Sequence, residues 1–132
     1  MLFRSQMSYQ KDRDEFVAVI VEEFGTEALQ KRGRAMPLED RKTTAVEFAR
    51  LVLSNASTIQ RIATNECNRE LTDGERRQDA AAQQRIIEAC RPWGIGPTFN
   101  GDPRGACVKL ILPSGRYNSF GGAEDGFCVP TR

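Results

Sequence analysis

Three cationic side chains, Arg104, Lys109 and Arg116, sit close together in the last third of the chain, where two guanidiniums and an ammonium could hold carboxylates or phosphates. Residues 106 to 112 between the arginines alternate as a strand, and a strand of that length is roughly 20 Å long. The two arginines flank it from opposite ends, so they cannot grip one small anion. An extended partner fits the spacing better. The competing structural role is an intramolecular salt bridge from Arg104 to Asp102 or to a helix carboxylate.

Catalytic chemistry finds few candidates. The chain has no histidine, so nucleophilic or acid-base work would fall to Cys, Asp, Glu, Lys or Tyr, and none of these pair at a recognised spacing. A carboxylate site assembled across elements, such as Asp102 with Glu124 or Asp125, is the one acidic arrangement left open. No GxxxxGKS/T or GxGxxG segment cradles a phosphate, and Gly121-Gly122 falls in a turn rather than before a helix. Cys67, Cys90, Cys107 and Cys128 occur singly, with no CxxC pair. They are expected to be buried core residues rather than zinc ligands or disulfides, though Cys107 and Cys128 could lie on neighbouring strands. The sequence points to a non-enzymatic protein with no catalytic residues, no metal and no cofactor.

Composition sets the frame for these residues. With 132 residues the chain suits one domain, 1–132, with one core. Nineteen basic against 18 acidic residues leave no global field to favour a polyanion or a membrane surface. No apolar run approaches the roughly 20 residues of a membrane span, so no membrane partner is expected. Met1-Leu2-Phe3-Arg4 is too short in apolar residues for a signal-peptide core, which implies a cytosolic address. Residues 1–7 read as a loose, disordered extension.

The helical part spans 8–90. Ser8 can cap a first helix whose Phe16, Val19, Ile20 and Phe24 recur at three- and four-residue spacing. Gly25 interrupts it, and Thr26 is expected to cap a short turn through Ala28 and Leu29 that ends in Lys31-Arg32-Gly33-Arg34. After Met36-Pro37, a long central helix starts near Glu39 and keeps Val46, Ala49, Val52, Leu53, Ala56, Ile59, Ile62, Ala63 and Cys67 on one face. From Phe48 to Asn65 it carries no acidic residue. Either the sheet or another helix covers that stretch, which is the preferred reading, or a partner docks there through Arg50, Arg61 and Asn65. Thr72 and Glu75 form a capping-box signature for a third helix reaching Cys90, with Ala80, Ala81 and Ala82 leaving room for a close neighbour. Trp93 reads as a lid over the core.

Turn chemistry then crowds the chain. Val108, Leu110 and Leu112 alternate with Cys107, Lys109 and Ile111 along a strand with one buried face. Pro113-Ser114-Gly115 suits a hairpin from which Arg116 to Phe120 would pair back, Phe127 to Val129 reads as a third strand, and Thr98 to Asn100 as an edge. The fold class is α+β: three N-terminal helices, one of them long and central, followed by a small antiparallel β-meander over 97–130 packed on them.

Cys67-Asn68-Arg69 before a Leu-Thr helix start, Gly101-Asp102-Pro103-Arg104-Gly105, Val108-Lys109-Leu110, Leu112-Pro113-Ser114-Gly115-Arg116, Gly121-Gly122 and Val129-Pro130 resemble a group of small proteins of tailed phages and prophages. The resemblance covers roughly residues 46 to 132. It implies phage origin and a place in the host bacterial cytosol, and it carries over no site residue. The functional expectation is a phage accessory protein that binds a host or phage protein, as a host-takeover or anti-defence modulator. The alternative is a nucleic-acid binder using Arg32, Arg34, Arg104, Lys109 and Arg116, and the third is a virion or assembly component. Nothing in the sequence fixes the oligomeric state.

Overall fold

The computed structural model describes residues 2–26, 38–100, 107–118 and 126–131. Three helices, α1 (Leu2–Phe24), α2 (Leu38–Asn68) and α3 (Asp73–Cys90), precede a single 3-10 turn (Arg91–Trp93) and three short strands, β1 (Gly96–Phe99), β2 (Val108–Ile111) and β3 (Phe127–Cys128). The sheet is antiparallel in the order β1-β2-β3, so the architecture is the expected α+β. Among the described residues no helix is long and apolar enough to cross a membrane.

The long α2 organises the helical layer. Its Ala45, Phe48, Ala49, Val52, Leu53, Ala56, Ile59, Ile62 and Ala63 are buried, a helical repeat broad enough to face two neighbours at once. Tyr9 meets Ser57 at 3.3 Å and Phe24 meets Phe48 at 5.4 Å between ring centroids, so α1 runs antiparallel to α2. Asn65 touches Glu75 and Arg85 touches Asn55, which sets α3 antiparallel on the other side. Only Ala82 of the alanine run is buried there, whereas Ala80 and Ala81 face solvent. The α3 start is the capping box read from the sequence: Glu75 N–H donates to Thr72 Oγ1, and Thr72 N–H donates back to Glu75.

The α1 boundaries differ from expectation. The helix already exists at Leu2, so Ser8 lies within it rather than at its start. At the other end, Thr26 donates its hydroxyl to the Glu23 carbonyl at 2.7 Å and so closes α1. The expected turn through Ala28 and Leu29 and the basic stretch 31–34 lie outside the described residues.

One face of the sheet lies on the helices. Val108, Leu110, Leu112, Phe127 and Val129 are buried in the common core, and Phe16 of α1 packs on Phe127 at 6.0 Å. Trp93 covers this core as expected, 4.5 Å from Phe24. Gly126, with φ +118, leads into β3 so tightly that a Cβ there would stand 2.7 Å from the Leu110 carbonyl oxygen.

The hairpin expectation fails in its return strand. Gly115 takes φ +77 and its N–H donates to the Leu112 carbonyl at 2.8 Å, so the turn forms. Residues 115–118 nevertheless form no strand, because β1 and β3 already occupy both sides of β2. Residues 119–120 lie outside the described residues.

Candidate functional site

Both sheet edges are blunted, by different devices. The Asn100 N–H to Cys107 carbonyl bond makes 100 and 107 a hydrogen-bonded pair, so alternation directs the backbone groups of Pro97 and Phe99 to the open side of β1. Proline has no N–H to offer there. On β3, the Val129 N–H to Val108 carbonyl bond directs Cys128 outward by the same alternation. The Asn118 carboxamide closes that position, accepting from Cys128 N–H at 2.9 Å and donating to its carbonyl at 3.1 Å. A side chain thus stands where a fourth strand would pair.

On the face turned away from the helices, Cys107, Lys109 and Cys128 are buried and the open position is Ile111. A groove of about 680 Å³ opens there, lined among others by Thr98, Phe99, Lys109, Ile111, Arg116 and Tyr117. Ile111 and Tyr117 are both 55% exposed, uncommon for side chains of that size and apolar character. Gly96 stands directly opposite Ile111 on β1, so its cross-strand partner there has no side chain to shield it. No acidic side chain is among the described residues lining the groove, which therefore offers apolar surface and two cations.

Lys109 and Arg116 therefore share one groove, but neither is a free cation. Lys109 is only 6% exposed, although it belongs to the alternating set expected to face solvent with Ile111. Cys107 of that set is also fully buried, so only Ile111 is open. Arg116 Nη1 pairs with Glu22 Oε2 of α1 at 2.8 Å. Both partners are well exposed, 40% and 64%, so water screens the pair and a competing carboxylate can displace it at little cost. Beside it, Ser114 donates its hydroxyl to buried Glu23 at 2.6 Å, and Arg116 N–H donates back to Ser114 Oγ at 3.2 Å. Together these contacts clasp the 113–116 turn to the last turn of α1. Arg104 and Asp102, with Glu124 and Asp125, lie outside the described residues.

The α2 candidates stand apart from this groove. Asn65 is held internally, its amide donating to Glu75 at 3.1 Å. Arg69 forks onto the same carboxylate at 2.6 and 2.8 Å, and with the Thr72 N–H this holds Glu75 well below the ordinary carboxylate range. Asn55 and Gln60 are buried, and Ser57 lies against Tyr9, so much of the acid-free stretch is covered by neighbouring elements, as preferred from the sequence. Arg50 and Arg61 remain exposed.

Cys90, Cys107 and Cys128 are buried free thiols, and burial pushes Cys90 up to about 12. Cys67 is the exception to the expected burial: it is exposed at the end of α2. Cys107 and Cys128 do fall on adjacent strands or their continuation, without a bond between them. Among the described residues no group of three or more His, Cys, Asp or Glu side chains converges as a metal site.

Ile111, Tyr117 and Asn118 escaped sequence reasoning as site residues. Ile111 carried a usable signal, since it is a large aliphatic on the polar phase of an alternating strand. Compared with known proteins, the chain matches no family model, no curated protein and no solved structure.

Proposed function

We propose that this chain is a small phage accessory protein of the host cytosol that acts without catalysis, by binding a host or phage protein in the groove beside β2 where Ile111 and Tyr117 are exposed. The supporting observation is the groove that holds Ile111 and Tyr117 exposed beside Lys109 and Arg116. Its chemistry suits an extended segment presenting apolar side chains and a carboxylate, which can take Arg116 in place of Glu22. With Pro97 on one edge and Asn118 on the other, docking in the groove is favoured over strand addition. Nucleic acid is less well served, because Lys109 is buried and one exposed arginine gives a weak grip on a polyanion.

The test compares wild type with an Ile111→Asp, Tyr117→Ala double variant, both tagged, in lysate from infected cells. Both positions are exposed, so the variant should fold. Wild type recovers a partner that the variant loses. Equal recovery by the two proteins, or no partner above background with either, rejects the groove.

A further inference from the structure

Arg50 and Arg61 share one face of α2. They are eleven residues apart, three helical turns plus a small angle, and so about 16 Å along the axis. Both are exposed, and among the described residues neither makes an ion pair or hydrogen bond. Arg69, Arg76, Arg91 and Arg116, also exposed, each hold a carboxylate, whereas among the described residues Arg77 of α3 is exposed without one. The surface between Arg50 and Arg61 is poor in free donors. Asn55, below its margin, returns its amide to the Leu51 carbonyl, and Thr58 returns its hydroxyl to the Ser54 carbonyl. Ser54 is small, and Leu51 is 37% exposed. Glu47 lies one turn before Arg50 without bridging to it, and no acidic residue occurs again until Glu66.

We infer that this stripe, Arg50-Leu51-Ser54-Thr58-Arg61, docks an acidic helix of a partner protein with carboxylates about three turns apart. Two helices lying side by side share the same rise per residue, so carboxylates at that interval meet both guanidiniums at once. Ser54 between the cations is small enough to let the helix axes approach. Two cations flanked by Glu47 and Glu66 give a weak grip on a polyanion by comparison. The stripe is separate from the sheet groove and stands or falls independently of it.

The probe is a synthetic alanine-based helix of about 18 residues, with glutamates eleven positions apart and a leucine between them. A second peptide carries glutamine at those two positions. Backbone amide NMR of the whole chain is followed through titration with each peptide, and with a DNA duplex of roughly 20 base pairs. The glutamate peptide should shift amides of the stripe and leave Lys109, Ile111 and Tyr117 unmoved. Arg50→Ala and Arg61→Ala should each weaken binding about two- to fivefold, and Ile111→Asp should not affect it. The inference is overturned if the glutamine peptide binds equally, if the shifts fall elsewhere or are absent, or if the duplex binds the stripe more tightly than the glutamate peptide.

Discussion

Replacing Gly126 with alanine should be among the most damaging single-methyl additions in this protein. The residue sits at φ +118, outside the small left-handed region that non-glycine residues tolerate, which by itself costs of order 1–3 kcal/mol. The added Cβ would also stand 2.7 Å from the Leu110 carbonyl oxygen and 3.1 Å from its carbon. These are backbone atoms of the central strand and cannot rotate away, so β3 must move off β2 to relieve the contact. Together the strain and the displacement should cost about 2–4 kcal/mol. Two other glycines provide the scale. Gly115 has φ +77 with nothing within 4 Å, so alanine there meets conformational strain alone, about 1 kcal/mol. At Gly96 a Cβ makes ordinary contact with Ile111 at 3.6 Å, and alanine should change stability by less than about 0.5 kcal/mol. Urea denaturation followed by tryptophan fluorescence reports the order, because Trp93 packs against the core. With a slope of about 2 kcal/mol per molar urea, Gly126→Ala should lower the midpoint by roughly 1–2 M. A Gly126→Ala midpoint matching wild type, or one above that of Gly115→Ala, would refute the close approach of β3 to Leu110.

Three further outcomes follow from contacts elsewhere. Asn118→Ala removes both partners of the Cys128 backbone and should cost about 1–2 kcal/mol in the same urea assay, while Asn118→Asp keeps only the acceptor and should lie between it and wild type. Because Arg69 first, and the Thr72 N–H with it, hold the Glu75 carboxyl below its ordinary value of 4.5, the stabilisation is complete above that pH and is lost as pH falls toward the folded value; melting curves of wild type should steepen their decline below about pH 4.5 relative to Glu75→Gln. Iodoacetamide at about pH 8 should label Cys67 alone in the native protein, because Cys90 is buried with its thiol near 12 and Cys107 and Cys128 are buried too, whereas all four cysteines react once the chain is unfolded.

The helices were legible because their signals are local. The apolar repeat of α2 and the Thr72-Glu75 box lie within a few turns of one another, and both expectations hold. The meander was legible as a class, but its pairing was not. Turn residues at 113–115 announce a bend, yet which chain runs beside β2 depends on β1 and β3, which the bend does not encode. Asn118 shows the limit most clearly, since a carboxamide replacing a strand leaves no alternating pattern to find. Lys109 reads as an outward cation until the third dimension buries it. Of the six binding candidates, Lys109 and Arg116 share a groove, Arg50 and Arg61 share a helix face, Asn65 serves the α3 cap, and Arg104 lies outside the described residues.

The clasp between α1 and the 113–116 turn also sets a schedule for synthesis. Glu23 and Ser114 are 91 residues apart, and Glu22 and Arg116 are 94 apart. At about 5–20 residues per second, α1 waits roughly 5–20 s on the ribosome before its last turn can meet those partners. During that interval Phe16 has no Phe127 to cover it, and the nascent helix can shelter its apolar stripe only against α2. Translation speed through α2 therefore governs how long the unfinished chain is open to capture by chaperones or by other nascent chains.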